Sequence, residues 1–339
     1  MPFKDVIGHR RLVGLLARSI HRASLPPSLI FAGPSGIGKR LTAIAAAQAL
    51  NCTALAAPAG EGGLETDACG VCAACTRIAR GVHPDVLVVE PGDTGAIKIE
   101  QVRDIVDRAA YRPFEGRRRV VIVDEADALV APAQNALLKT LEEPPPSSVF
   151  ILVTSRPDVL LPTVRSRCPR LRFRPLGQAD LAAALVARGF AEAEARTVAA
   201  TADGSLGRAL EASAADVVAA RDTAERVLAQ AAAAGDPRRR IESAKDLLAK
   251  TGSGASEREQ LAVHLRVMAS LLRDIELLSV RADAGGLANA DVRPALERLA
   301  RTFDGERGVR AFTAVDRALV ALERNAGVKI VADWLVLQL

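Results

Sequence analysis

The first half of the chain alternates short apolar runs with longer segments of helical spacing. Runs rich in Val, Ile, Leu and Phe predict four β-strands, at Leu29–Gly33, Asp85–Pro91, Arg119–Asp127 and Ser148–Ser155. Each run is almost continuously hydrophobic, which is typical of strands covered by helices on both faces of a sheet. Helical spacing lies between them, for example over Ile97–Ala110 and Ala133–Glu142. The alternation predicts an α/β fold with a parallel sheet over residues 1–165.

The pattern changes after residue 165. A segment broken by Pro and Gly precedes a helix that is expected to begin near Gln178. Residues 166–212 are predicted to form a small helical lid domain. Residues 213–339 carry long helices rich in Ala, Leu, Arg and Glu, without a convincing strand. The sequence therefore predicts three domains, of which the last is all-helical.

Composition limits the classes of function. The chain has 339 residues, of which 49% are hydrophobic and 25% charged, as in ordinary globular proteins. Its apolar runs are all shorter than the ~18 residues that a membrane span needs, and its N-terminal segment does not resemble a secretory signal. We therefore expect a cytoplasmic protein without a membrane partner. The net charge of +5 permits a nucleic-acid partner but does not require one.

A glycine-rich loop follows the first predicted strand and precedes a helical run. It comprises Gly33, Pro34, Ser35, Gly36, Ile37, Gly38 and Lys39. In this context, known as Walker A, backbone amides and a helix N-terminus bind phosphate groups. Lys39 is expected to reach the β- and γ-phosphates. The pattern predicts an ATP site.

The residue after Lys39 departs from this motif. A Ser or Thr is expected there, because its hydroxyl binds Mg²⁺, but the chain has Arg40. A guanidinium has no acceptor and repels a cation. Thr42 is expected to face another side of the helix, so it does not replace the missing hydroxyl. We therefore expect phosphate binding to be possible, Mg²⁺ binding to be doubtful and hydrolysis to be weak or absent.

Two acidic residues, Asp124 and Glu125, end the strand that begins at Arg119. This arrangement matches Walker B, in which the Asp holds Mg²⁺ and the Glu polarises the attacking water. Ligands of open α/β sheets bind at this carboxyl edge of the strands. With Arg40 in the phosphate loop, Glu125 could be a remnant of a catalytic residue.

Four cysteines lie after the Walker A helix, at Cys52, Cys69, Cys72 and Cys75. Four thiolates suit tetrahedral Zn²⁺, and a site closed by four cysteines is structural. We therefore predict a zinc-binding insert over about residues 52–75, although ordinary buried thiols are an alternative. Cys168 lies elsewhere and is expected to be a small buried residue.

Several strings together resemble AAA+ clamp-loader subunits of bacterial DNA polymerase III. They are HPDVLVVEP, RPFEGRRRVVIVDEAD, NALLKTLEEPP, RSRC and GSLGRAL. The resemblance is dense over residues 1–212 and weaker beyond. It implies a five-subunit ring with tau/gamma and delta subunits, joined through a C-terminal helical collar, that places a sliding clamp on primed DNA. Arg40 and the chain length resemble the delta-prime type of subunit more than tau/gamma.

The resemblance also implies roles for three residues. Arg167, in the SRC string, would be an arginine finger that acts on the ATP bound by a neighbouring subunit. Thr154 would be sensor 1 and Arg208 sensor 2. For Arg167 the alternative is a local pair with an acidic residue.

Other features keep more than one interpretation. The run Arg117–Arg119 is expected to be a solvated basic face, with DNA contact as the rival. Trp334, near the C-terminus, could be buried in its own domain or in a ring partner. Two rival functions stay open, a tau/gamma-like ATPase and a zinc-dependent nucleic-acid binder.

Overall fold

The structure is a computed structural model. The structure describes residues 1–55, 64, 66–92, 94–211, 214–233, 236–248, 254–280, 287–324 and 326–339. Residues 56–63 and 65, which fall in the predicted zinc insert, lie outside the described residues. The chain divides into two compact units. One holds residues 1–176 with 205–207, and the other holds residues 177–204 with 208–339.

The first unit is built on a five-stranded parallel sheet in the order β2-β3-β4-β1-β5. Its strands are β1 Ser28–Ala32, β2 Val86–Val89, β3 Arg119–Val123, β4 Ser148–Thr154 and β5 Arg170–Arg172. The register aligns the last residues of neighbouring strands, since Val89 pairs with Val123 and Ala32 with Thr154. All four strands predicted from the apolar runs are present. Strand β5 was not predicted, because its alternation of Arg and Leu lacks an apolar run.

Helices cover both faces of this sheet. They are α1 Arg10–His21, α2 Lys39–Asn51, α3 Ala73–Ala79, α4 Ile99–Ala110, α5 Ala131–Glu142 and the short α6 Pro162–Arg165. Alternate residues of β3 belong to two different buried clusters, Val120 and Ile122 to one and Val121 and Val123 to the other. The chain therefore buries every residue of the strand, which explains the unbroken apolar run.

Small side chains bring helix α2 close to the sheet. Nine of its residues are buried, and five of these are alanines, as the string AIAAAQAL suggests. Alanine costs little side-chain entropy and favours helix. This close packing fixes the start of α2, where the glycine-rich loop ends.

The second unit is helical throughout its described residues. Its helices are α7 Gln178–Val186, α8 Glu192–Thr201, most of α9 Leu206–Glu211, α10 Ala214–Ala233, α11 Pro237–Leu247, α12 Gly254–Ser279, α13 Arg293–Ala300, α14 Gly305–Glu323 and α15 Val328–Gln338. Residues of α10 to α15 share one apolar core that includes Leu265, Leu271 and Phe303. Among the described residues, none of the helices is long and apolar enough to cross a bilayer. Trp334 on α15 keeps 37% of its surface exposed, so its own domain buries it only in part.

The predicted fold class is confirmed, with a parallel α/β sheet first and helices after it. Helix α7 begins at Gln178, as predicted. The boundaries between lid and collar stay a prediction.

Candidate functional site

The carboxyl ends of the central strands bring the predicted nucleotide residues to one edge of the sheet. Asp124 follows β3 directly, Thr154 ends β4, and the glycine-rich loop follows β1. Glu90, which the sequence analysis did not single out, follows β2 beside Asp124. The sequence could have indicated Glu90, because it is the first residue after a predicted apolar strand.

The glycines of the loop are required by its backbone. Gly36 and Gly38 have φ angles of 72° and 94°, a region that favours glycine. A Cβ atom at Gly33 would lie 2.4 Å from the carbonyl oxygen of Phe173. The loop therefore turns back on itself before α2 and leads into that helix at Lys39, as a phosphate loop does.

Lys39 lies across this loop and is nearly buried, with 6% of its surface exposed. Its Nζ donates to the carbonyl oxygens of Gly33, at 2.7 Å, and Pro34. The ammonium group therefore lies where the loop closes. A bound phosphate would compete with these two carbonyl oxygens for the N–H donors of Lys39.

Arg40 reaches across the edge of the sheet to the two acidic strand ends. Its Nη1 donates to Oδ2 of Asp124 at 3.0 Å, and its Nη2 forms an ion pair with Glu90. The other oxygen of Asp124 accepts the backbone N–H of Glu125 at 3.0 Å. Glu125 is exposed and has a φ of 47°. Thr42 is fully buried, and its hydroxyl donates to the carbonyl oxygen of Gly38 at 2.8 Å, so it does not replace a Ser or Thr at position 40.

A second acidic residue, Asp127, organises the end of β4. Its carboxylate accepts the hydroxyl of Thr154 at 2.8 Å and Nε of Arg156 at 3.0 Å. Burial would raise the pKa of Asp127, but the hydrogen bonds from Thr154 and Arg156 outweigh it and lower the pKa. Thr154 therefore lies at the edge where a sensor is expected, held by a partner that the sequence analysis missed.

Two further residues support the loop from outside the predicted motif. Nε2 of His9 lies 2.8 Å from the carbonyl oxygen of Ile37. Burial lowers the pKa of His9, so the ring is neutral and donates to Ile37. The backbone N–H of Gly207 donates to the carbonyl oxygen of Gly36 at 2.9 Å. Both contacts connect segments distant in sequence, so only the folded chain could reveal them.

The two arginines implied by the resemblance lie in different surroundings. Arg167 follows α6, and its Nη2 pairs with Glu142 at the end of α5. Its Nη1 also donates to the carbonyl oxygen of Thr163 at 2.8 Å. About a third of the Arg167 side chain is exposed. Arg208 forms an ion pair with Asp203 at 3.4 Å.

The four predicted cysteines come together. Their Sγ atoms, in Cys52, Cys69, Cys72 and Cys75, all lie within 4.8 Å of one another. Sulfur atoms bound to one Zn²⁺ at ~2.3 Å would lie about 3.8 Å apart in a tetrahedron. The cluster therefore fits a metal ion with a small contraction, and all four cysteines are free of disulfides.

Backbone amides stabilise negative charge on these sulfurs. The N–H groups of Cys69, Cys72 and Cys75 point to the Sγ atoms of Cys52, Cys69 and Cys72, at 3.3, 3.3 and 3.5 Å. Burial opposes ionisation of Cys72, but the N–H of Cys75 and contacts from Thr53 lower its pKa to about 5, whereas burial raises the pKa values of Cys52 and Cys75. Thiolates are the form that binds a metal. The chemistry of the donor set therefore fits a metal too.

The N-terminal segment holds the cysteine cluster on the sheet domain. The carboxylate of Asp67 accepts the N–H groups of Phe3 and Lys4 at 2.8 and 3.0 Å. Gln48 on α2 donates to the carbonyl oxygen of Cys75 at 2.7 Å. The cluster is thus joined to α2, the helix that begins at the phosphate loop.

The run Arg117–Arg119 is only in part the solvated face that we expected, because Arg117 is exposed, Arg118 is partly exposed and Arg119 is buried. Arg119 is buried and donates to Asp85 at 2.8 Å. Arg117 donates to the carbonyl oxygen of Cys52 at 2.7 Å, and Arg118 to that of Pro146. The interpretation is wrong for Arg119 because the carboxylate of Asp85, the residue directly before β2, is fully buried and needs a cation beside it.

Cys168 is buried, as predicted, in the apolar cluster beneath α5. Burial raises the pKa of its thiol to about 11. It is a packing residue and lies apart from the cluster of four cysteines.

A family model and several relatives match the sequence of this chain. The model of the family described as DNA polymerase III, delta subunit, matches residues 8–177, half of the chain. The delta' subunit of Pseudomonas aeruginosa DNA polymerase III is 42% identical over 148 residues, which are 43% of this chain and 43% of that protein. The gamma/tau subunit of Mycobacterium tuberculosis is 35% identical over 174 residues, 51% of this chain and 29% of that protein.

The chain thus spans less than half the length of these relatives. Among solved structures, a gamma-subunit-related protein of Thermotoga maritima aligns with a TM-score of 0.43 and 17% identity, over 95% of this chain and 96% of that chain. The match to the family model, over residues 8–177, covers the sheet, the phosphate loop and the cysteine cluster described above. The chain belongs to the DNA polymerase III delta subunit family of clamp-loader proteins.

Proposed function

We propose that this chain is the delta-prime subunit of a DNA polymerase III clamp loader. In this role it joins tau/gamma and delta subunits in a five-subunit ring in the cytoplasm. The ring loads the sliding clamp on primed DNA. Its own ATP site is weak or inactive, and it supplies Arg167 to the ATP site of a neighbouring subunit.

The observation that carries the proposal is the contrast between two arginines. Arg40 is tied to Asp124 and Glu90 within the chain's own site, where an active ATPase needs a hydroxyl and Mg²⁺. Arg167 is partly exposed and is held by one surface carboxylate, that of Glu142. An exposed ion pair of this kind contributes ~0–1 kcal/mol, so little free energy is lost when a phosphate of the neighbouring subunit replaces Glu142 as the partner of the guanidinium.

Such an arginine acts through electrostatics. In the transition state of phosphoryl transfer, negative charge spreads over the γ-phosphate oxygens. A guanidinium fixed beside them stabilises this charge with a fork of N–H donors. The bond of Arg167 to the Thr163 carbonyl oxygen would orient the fork and leave its other nitrogens for the phosphate.

For the cysteine cluster we propose structural zinc. The four sulfurs leave no open coordination position, so the ion would not take part in catalysis. It would hold Cys52 and the segment from Cys69 to Cys75 beside α2. This role needs the metal for folding of the insert, not for ATP chemistry.

A tau/gamma-like ATPase is the second candidate, since relatives of that name match more of the chain than the delta' relative does. It requires Lys39, Asp124 and Glu125 to act in this chain. Arg40 disfavours it, because the guanidinium occupies the carboxylate that would hold Mg²⁺.

The test is DNA-stimulated ATP hydrolysis by the chain assembled with tau/gamma and delta subunits. Arg167→Ala is expected to lower hydrolysis at the adjacent site by roughly 10³–10⁵-fold while assembly is retained. Glu142→Gln is the matched control, because it removes the same ion pair and keeps the arginine. If Glu142→Gln reproduced the loss, the local pair would be the function of Arg167 and the proposal would be wrong.

A further inference from the structure

The fold family implies Mg²⁺ at the carboxyl edge of the sheet, but this chain's residues do not fit the ion. In phosphate-loop proteins the ion is held by the hydroxyl after the loop lysine and by the Walker B Asp. Arg40 supplies no oxygen, and the hydroxyl of Thr42 is committed to Gly38. Both oxygens of Asp124 already accept donors, one from Arg40 and one from the N–H of Glu125.

We propose that the guanidinium of Arg40 is a built-in replacement for the divalent cation of this site. Its two terminal nitrogens hold Asp124 and Glu90 separately, as an ion bridging two carboxylates would. The two carboxylates belong to adjacent strands whose ends are in register, so a single cation can serve both. The guanidinium therefore supplies the positive charge of the site, and no cation from solution is needed.

The charges make this replacement exclusive. Lys39 and Arg40 bring two positive charges to the edge, and Asp124 and Glu90 bring two negative ones. These four groups balance one another without an ion, and the neighbouring carboxylate of Glu125 is exposed to solvent, which screens its charge. A divalent cation would meet a guanidinium at contact distance and a carboxylate already in use, so it has no net attraction to the site.

Mg²⁺ should therefore not tighten the binding of ATP to the unaltered chain. The consensus residue should restore the response. Arg40→Thr frees Asp124 and Glu90 and supplies the hydroxyl that the motif lacks. This inference concerns the isolated chain's own loop and stands apart from the proposal for Arg167.

The experiment is titration calorimetry of the purified chain with ATP, once in EDTA and once in MgCl₂. We expect the dissociation constant in EDTA divided by that in MgCl₂ to be about 1 or lower in the unaltered chain and above about 10 in Arg40→Thr. Arg40→Lys keeps the charge without adding a hydroxyl and is the matched control, in which Mg²⁺ is expected not to tighten ATP binding. Electron paramagnetic resonance of added Mn²⁺ reads cation binding directly and should show bound Mn²⁺ with ATP only in Arg40→Thr.

Two results would overturn the proposal. Tighter ATP binding with Mg²⁺ in the unaltered chain would mean that the guanidinium does not exclude the ion. An Arg40→Thr chain that folds, as its circular dichroism shows, yet gains neither a Mg²⁺ response nor bound Mn²⁺ would mean that Arg40 is not what fills the position.

Discussion

Asp85 is the buried charge on which the segment before β3 depends. Its carboxylate accepts the N–H groups of Phe114, Glu115 and Gly116 at 2.7, 2.9 and 2.8 Å, and the guanidinium of Arg119 at 2.8 Å. Burial alone would raise the pKa of Asp85, but these hydrogen bonds outweigh it and lower the pKa from 3.8 to about 2. The segment leads into the strand that positions Asp124.

The change we consider is Asp85→Asn. The lowered pKa corresponds to a preference of about 2 kcal/mol for the ionised carboxylate in the folded chain. The NH₂ group of Asn also faces the backbone N–H groups that the carboxylate accepted, so donors face donors. Arg119 stays buried without its counter-charge, and breaking a buried pair in this way commonly costs about 3–5 kcal/mol. Both figures include the contact between Asp85 and Arg119, so they are not added, and we expect the local stability to fall by about 2–4 kcal/mol.

Hydrogen exchange of the peptide that contains Phe114 to Gly116 measures this loss. A fall of 2–4 kcal/mol corresponds to exchange that is roughly 30- to 1000-fold faster at neutral pH. Asp104→Asn is the control, because the Asp104 side chain is mostly exposed and should change exchange little.

The dependence on pH gives an independent check. Because the folded pKa of Asp85 is lowered, its stabilisation is fully present above pH 3.8 and is lost as the pH falls toward about 2. The difference between the unaltered chain and Asp85→Asn should shrink over that range. Unchanged exchange in Asp85→Asn at pH 7 would refute the assignment of Asp85 as the residue that orders the segment.

The remaining predictions concern the metal cluster and the loop. Cys69→Ser should lower bound zinc, measured by atomic absorption, from about one per chain, whereas Cys168→Ser should keep it; equal zinc in both would contradict the four-cysteine site. Gly33→Ala should lower the melting temperature, since its Cβ would lie 2.4 Å from the Phe173 carbonyl oxygen, while Gly92→Ala, with open space around its Cβ, should not; equal melting would show that the loop adapts. Gly207→Ala should speed exchange at the loop, because its Cβ would lie 3.1 Å from Cα of Gly36; unchanged exchange would mean that this contact does not support the loop.

The sequence was sufficient for the features that arise from local pattern. Continuous apolar runs predicted β1 to β4, and the spacing of the cysteines predicted a cluster in which the fold brings Cys52 to Cys69, 17 positions away. Gly36 and Gly38 were part of the predicted phosphate loop, and both have positive φ angles that favour glycine.

Sequence could not supply the partners that meet only after folding. Glu90 and Arg40 are 50 positions apart, and the register of β2 against β3 decides that they meet. His9 reaches Ile37 through the packing of α1, and Arg119 finds Asp85 through the pairing of their strands. Strand β5 was missed because its outer residues are arginines at an edge, where burial imposes no apolar pattern.

The most direct test of the account compares two variants in the assembled clamp loader, Lys39→Ala and Arg167→Ala, by their DNA-stimulated ATP hydrolysis. Lys39 belongs to the chain's own loop, and Arg167 is proposed to serve a neighbour's. The account predicts that Arg167→Ala abolishes hydrolysis at the adjacent site while Lys39→Ala leaves the rate of the assembly nearly unchanged. The reverse result, a rate lost with Lys39→Ala and kept with Arg167→Ala, would contradict it.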